Sequence, residues 1–332
     1  MKKRVLIALV VVVAMVATAS VVWADPDEWH VYSGESIQDA VNSASDGDTI
    51  YVHESIYDEA VVIDGVDVSL LAVGSVTIAP TSPCLGHRDV IQIYNAVATV
   101  DGFTIDANYA QTGCLGGIYA RGMAELGETA VDVTICNNTV EEYGKNGITV
   151  NGELATARIF NNTVTGRGMI GYGDYAQNGI QLGLQATGIV RGNTVSDNWY
   201  TGGYWTASNI LLSATMDVQV LNNTLADGQT GIYVYGTNIK VTGNSIDGEL
   251  YGPYPADWPP QDPPQSWYDY GSWGVILYGD NNKVVRNTIG PYDVGVENYL
   301  VNNKVINNTF NGCVEGILDF GEETKVHANA TY

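Results

Sequence analysis

The sequence predicts an all-β chain wound as a right-handed parallel β-helix, a solenoid closed at its N-terminal end by a short helix. Three observations lead there. First, a phrase close to Val-x-x-Asn-x-Thr-apolar keeps returning, as in Ile135-Cys136-Asn137-Asn138-Thr139-Val140, Val190-Arg191-Gly192-Asn193-Thr194-Val195 and Val305-Ile306-Asn307-Asn308-Thr309-Phe310. A second phrase alternates with it, Gly-Ile or Gly-Val, at Gly117, Gly147, Gly179, Gly231, Gly274, Gly295 and Gly316, with Asn209-Ile210 standing in once. Second, the anchor residues Asn138, Asn162, Asn193, Asn223, Asn244, Asn287 and Asn308 are separated by 24, 31, 30, 21, 43 and 21 residues, and Asn329 follows 21 later. Third, the runs between are short and β-branched, alternate with period two, and carry no helical period. One such unit cannot bury its own apolar face. Stacked units can, with strands about 4.8 Å apart and right-handed crossovers.

The elements follow in chain order. Residues 1–24 place Lys2, Lys3 and Arg4 ahead of a mostly apolar run from Val5 to Val22, and Val22-Trp23-Ala24 fits a signal cleavage site. The run is also long enough for a retained membrane anchor, although the cleavage-site residues favour removal. Residues 25–332 then form a single domain, in which no segment is apolar enough to cross a bilayer. Ser36 to Ala44 reads as an amphipathic helix with Ser36 as N-cap and Asp39 at N3. It would cover the open strand edge of the first coil. Asp46-Gly47-Asp48-Thr49 is a turn, Ile50-Tyr51-Val52 a strand, and Tyr57-Asp58-Glu59 begins the coils. At the corners the repeated Asn tolerates unusual backbone angles, and its amide can bond the Asn one coil away. Asn137, Asn161, Asn222, Asn307 and Asn329 also fit the N-glycosylation pattern. The corner persists where that pattern fails, at Asn193, Asn244 and Asn287. No helix or loop follows Asn329 to cover the last coil, so end-to-end self-association is an expectation.

Composition sets the compartment and excludes partners. Hydrophobic residues are 45% and charged residues 15% of 332, so a sizeable core is available. With 37 acidic against 14 basic residues the net charge is −23, which argues against nucleic acid. The four histidines are scattered. Calcium is conceivable from the carboxylates, but no EF-hand spacing is present, and no cofactor is expected. Export permits disulfides. Cys84 and Cys114 both sit in glycine-containing loops and are the preferred pair, leaving Cys136 and Cys313 free, although four cysteines allow three pairings.

Ser36-Ile37-Gln38-Asp39-Ala40-Val41, Asp46-Gly47-Asp48-Thr49-Ile50-Tyr51-Val52 and Tyr57-Asp58-Glu59 resemble the opening of pectin-lyase-like right-handed parallel β-helix proteins. The Asn-Asn-Thr-Val and Asn-Gly-Ile phrases resemble their short parallel-β-helix repeat, and the likeness spans residues 33–332. The resemblance implies the fold. It leaves the activity open among lyases, glycoside hydrolases, epimerases, esterases, copper-site maturation proteins and adhesins. The Asp and His series of polygalacturonase-like hydrolases, the Asp-Pro-His-Glu of alginate-epimerase-like proteins and the Arg-x-Pro-x-x-Arg of pectate-lyase-like enzymes are missing.

Long segments fall at one corner, between the Asn-x-Thr strand and the next Gly-Ile strand. They hold Tyr172 and Tyr175 with Asp174, then Trp199, Tyr200, Tyr204 and Trp205 with Asp197, then Trp258 and Trp267. With Tyr233 and Trp273 on the neighbouring strands, these are the candidate substrate-binding aromatics, expected to be partly exposed and to stack on sugar rings. The outward positions of the Gly-Ile strands are Tyr119, Thr149, Gln181, Leu211, Tyr233, Ile276, Glu297 and Leu318. Hydrolysis would need a carboxylate pair, with Asp174, Asp197, Asp293 and Glu297 as catalytic candidates. β-Elimination would need a base, with Arg167 and Lys145 the nearest cations. Arg158, Lys240, Lys283, Lys304 and Lys325 share one repeat position, although like charges a strand spacing apart repel by about 1 kcal/mol in water. The file reads as charge balance and protection against lateral stacking, or as a track for an anionic polymer. The chain is therefore expected to be secreted or displayed at the cell surface and to bind extracellular polysaccharide, with or without cleaving it. The alternative is a non-catalytic adhesin or structural protein.

Overall fold

The computed structural model describes residues 26–84, 88–203, 205–250 and 271–332. Ten parallel strands form one sheet, from Val61–Asp64 through Asp89–Tyr94, Gly116–Arg121, Asn146–Asn151 and Asn178–Gly183 to Glu315–Asp319. A second sheet of 21 strands supplies the other faces of the coil, because Asp48–Tyr57 and Val68–Ile78 run through a corner and join them. The chain is a right-handed parallel β-helix, as the repeat predicts.

Register explains why the repeat letters matter. Ile118, Ile148, Ile180, Ile210, Ile232, Val275 and Val296 lie one above another and are fully buried. Each buried side chain of this size stabilises the fold by roughly 1.5–3 kcal/mol relative to exposure. The glycine before all but Ile210 has a steric cause. A Cβ on Gly147 would lie 2.4 Å from the Val164 side chain and 2.6 Å from the Gly179 carbonyl of the next coil. The main chain passes close to the interior there, and where Asn209 stands in, its buried amide bonds Asn198 and the Ala226 carbonyl instead.

The asparagine corner divides its work between two residues. Asn137, Asn161, Asn222 and Asn307 take the left-handed backbone, with φ between 52° and 57°. The anchors themselves are buried and form the ladder. Asn138 donates its main-chain N–H (3.0 Å) and Nδ2 (3.1 Å) to Asn162 Oδ1, and the pattern repeats through Asn193, Asn223, Asn244, Asn287 and Asn308 to Asn329. The second Nδ2 hydrogen goes to a carbonyl, Val190 in the case of Asn223. One residue per corner therefore tolerates the angle, and its neighbour makes the bonds. A shorter ladder at the next corner joins Asn282 to Asn303 at 2.7 Å.

Arg286 occupies the left-handed position of its corner, with φ 57° and an exposed side chain. An L-residue with a Cβ costs roughly 1–2 kcal/mol in this region, and glycine avoids it. Arg286→Gly is expected to stabilise the fold by about 1 kcal/mol, seen as a higher midpoint in thermal unfolding.

The predicted capping helix is α1 (Ile37–Ser43), with Ser36 as N-cap accepting from the Asp39 N–H at 3.2 Å. Glu59, one coil on, accepts from Ser36 Oγ and from the Ile37 and Gln38 N–H groups. The first coil thus fastens its own cap. Cys84 and Cys114 are disulfide-bonded with Cα atoms 5.2 Å apart, and Cys136 and Cys313 are free.

The long corner segments correct one expectation. The first halves of the first two are not irregular. Thr163–Ile170 and Thr194–Tyr200 extend the Asn-x-Thr strands and pair in parallel, with Met169 beside Trp199 and Ile170 beside Tyr200. Trp199 and Tyr200 are buried by this pairing, and Trp273 is buried as well, so none of the three presents a ring face to solvent. Residues 1–25 and the candidates Tyr204, Trp258 and Trp267 lie outside the described residues. Among the described residues no helix is long and apolar enough to cross a membrane.

Candidate binding groove on the ten-stranded sheet

The outward file of the ten-stranded sheet runs Gln92, Tyr119, Thr149, Gln181, Leu211, Tyr233, Ile276, Glu297 and Leu318, in register. This is the predicted set extended one coil towards the N-terminus. Over its first coils lies a groove of about 420 Å³, lined by Arg88, Asp89, Gln92, Tyr94, Leu115, Tyr119, Arg121, Lys145, Asn146, Thr149, Asn151 and Gln181. Strand Asp89–Tyr94 supplies the carboxyl, an amide and a phenol. Gly116–Arg121 supplies Tyr119 and Arg121. Arg88 and Lys145 stand at the corner where the chain enters the sheet.

Three cations therefore meet in one groove of a chain with only 14 basic residues in all. Arg121 is ion-paired with Glu128 and lies 5.0 Å from the centre of the Tyr94 ring. Lys145 Nζ is 5.9 Å from the Tyr175 ring, so one predicted aromatic borders the groove. Burial pushes the Asp89 carboxyl up to about 6, against the opposing pull of Arg88. Gly116 makes room for it, since a Cβ there would fall 2.0 Å from Asp89 Oδ1. Tyr94, which donates to Gln92 Oε1 at 2.6 Å, is pushed up to about 12, mainly by burial, and keeps its proton at neutral pH. The groove thus places three cations beside a carboxyl that burial holds above the usual carboxylate range.

Each predicted carboxylate has partners of its own. Asp174 is ion-paired with Arg167 at 2.8 Å, and that guanidinium also donates to the Tyr143 carbonyl and sits 4.4 Å from the Tyr109 ring. Asp197 has φ 60° and accepts from Ser196 Oγ. Asp293 accepts from the Ser272 N–H at 2.9 Å. Glu297 is in the outward file but buried, and burial raises its pKa while hydrogen bonding from Tyr299 and Trp273 opposes the rise. Tyr172 and Trp205 are exposed on the wall, at 78% and 75%.

Tyr233 belongs to an aromatic file that the sequence reading missed. It stacks with Tyr278 at 5.9 Å between ring centres, Tyr278 with Tyr299 at 4.2 Å, and Tyr299 with Phe320 at 5.3 Å. Rings stacked on one another present edges outward, so this file braces the sheet rather than offering faces to sugars. Its signal was the 21-residue spacing of 278, 299 and 320. Arg88, Asp89, Gln92, Tyr94 and Arg121 were also missed. Val90 stands where later coils have glycine, so the Gly-Ile phrase fails at that coil. Among the described residues no three His, Cys, Asp or Glu side chains gather as a metal site.

A family model described as "Right handed beta helix region" matches residues 89–258. Among solved structures, the periplasmic alginate epimerase AlgG is 12% identical, with 91% of this chain and 83% of that chain covered and a TM-score of 0.53. The surface protein and adhesin PfbA of Streptococcus pneumoniae is 13% identical, with 89% and 91% covered and a TM-score of 0.54. At such identities these likenesses establish the fold. No curated protein matches the chain.

Proposed function

The chain belongs to the right-handed β-helix family, and on that premise we propose that it binds an acidic polysaccharide in the groove of the ten-stranded sheet. One observation carries the reading: Arg88, Arg121 and Lys145 converge beside Asp89 on a chain whose net charge is −23. Cations concentrated against such a background suit the carboxylates of a uronate polymer, and Tyr119, Asn146, Thr149 and Asn151 offer hydroxyl and amide partners for sugar hydroxyls. The disulfide and the expected signal segment support an activity outside the cytoplasm.

A further reading of the same groove is proton transfer rather than hydrolysis. Asp89 is its one carboxyl among the described lining residues, whereas hydrolysis asks for two. With the substrate carboxylate held by the cations, Asp89 can take the proton from the adjacent carbon. The electron pair then forms a carbon–carbon double bond, and the glycosidic oxygen leaves and takes a proton from a groove tyrosine.

Titration calorimetry with polygalacturonate and with neutral dextran tests the binding. The expected result is binding of the acidic polymer only, weakened at least about tenfold, or 1.4 kcal/mol, in Arg88→Ala/Lys145→Ala. A chain that binds neither polymer would instead be a structural or adhesive surface protein. Ultraviolet absorbance of unsaturated uronate ends separates lyase action from binding alone.

A further inference from the structure

A second charged feature lies on another face. Lys240, Lys283, Lys304 and Lys325 are in direct register on successive coils of the 21-stranded sheet. Towards the N-terminus the same file continues with Gln219, Ile189 and Arg158, and only Arg158 there is charged and ion-paired, to Asp132. Among the described residues none of the four lysines has a carboxylate within ion-pair distance. The outward file beside them is Thr242, Val285, Ile306 and His327, without a carboxylate. Acidic residues Asp280, Glu322 and Glu323 are confined to the preceding corner.

Arg286 supplies an independent observation. The left-handed position it fills is Asn or Gly at other corners of the same kind, Asn222, Gly243 and Asn307 among them, and Ala328 at the last. A long, exposed cation stands at the corner that ends the strand Lys283–Val285, at a position where it costs stability. A strained residue retained at a charged surface points to use.

We propose that this face is a docking track for a linear anionic polysaccharide lying parallel to the solenoid axis. The lysines are one strand spacing apart, about 4.8 Å, which is close to the length of one pyranose ring in an extended chain. The track is a single file, with uncharged residues beside it on its strands and acidic residues only at the preceding corner. It suits a thin polymer with one carboxylate per sugar better than a flat membrane or a wide duplex. It is separate from the groove and does not depend on it.

Fluorescence anisotropy of labelled oligogalacturonides tests the track in an Arg88→Ala/Arg121→Ala/Lys145→Ala background, where the groove has lost its cations. Binding is expected to persist, to strengthen from dimer to hexamer, and to fall about tenfold in Lys283→Gln/Lys304→Gln at ~0.05 M salt, with the gap closing near ~0.5 M. Arg286→Gly is expected to bind more weakly while melting higher. Unchanged affinity in the lysine variant, with a native circular dichroism spectrum, overturns the proposal. So does equal competition by duplex DNA or by phosphatidylserine vesicles, which would assign the face to another partner. Loss of binding in the groove variant alone also overturns it, because the groove would then account for everything.

Discussion

Replacing Asn223 by alanine is expected to destabilise the fold by about 3–5 kcal/mol, one of the largest effects available to a single polar residue. Asn223 Oδ1 accepts from both the N–H and the Nδ2 of Asn193, and its own Nδ2 donates to Val190 O and to Asn244 Oδ1. All of these groups are buried and water cannot replace the missing amide. The neighbouring substitution Asn222→Gly is the control. Asn222 supplies only the left-handed backbone at φ 52°, which glycine adopts freely, so a change within about 0.5 kcal/mol is expected. Chemical denaturation of the two variants side by side checks the contrast. Equal effects would mean that the backbone angle, not the amide bonds, holds the corner.

Asp89→Asn is expected to stabilise the protein at pH 8 and to leave it nearly unchanged at pH 4, while abolishing any proton-transfer activity of the groove. The folded carboxyl titrates near 6, above the ordinary value of 3.8, because burial disfavours its charge. Its contribution to stability is therefore fully present below about pH 3.8 and is lost as pH rises through about 6. The full shift corresponds to about 3 kcal/mol, and the remaining solvent contact of Asp89 brings the expected gain down to roughly 1–2 kcal/mol. Thermal midpoints across pH 4–8 check the sign. A wild-type midpoint that does not fall relative to the variant through pH 6 would show that Asp89 is ordinarily solvated.

The fold was legible because its determinants are periodic. Ile148 and Asn162 mean little alone, but their equivalents recur, and parallel stacking turns recurrence into contact. The outward file from Tyr119 to Leu318 followed from the same phasing. Ser36 was legible as a cap, whereas Glu59 was not, because it reaches the helix from 22 residues away. The site was far less legible. Asp89 becomes chemically unusual through burial, and burial depends on the coils above and below it. Its coil also departs from the repeat at Val90. Trp199 and Tyr200 misled for the opposite reason. A long aromatic segment reads as an exposed loop until it is seen that two such segments can pair with each other.

The exact 21-residue rungs that carry Asn287, Asn308 and Asn329 have a bearing on how such a molecule changes over time. Duplication or loss of one whole rung preserves every vertical file, lengthening or shortening the rod by a single step. Gains and losses of other sizes must be absorbed between the strands, as the 43-residue interval from Asn244 to Asn287 is. Heredity can therefore adjust the length of this rod in discrete notches and the shape of its flank continuously, with little interference between the two.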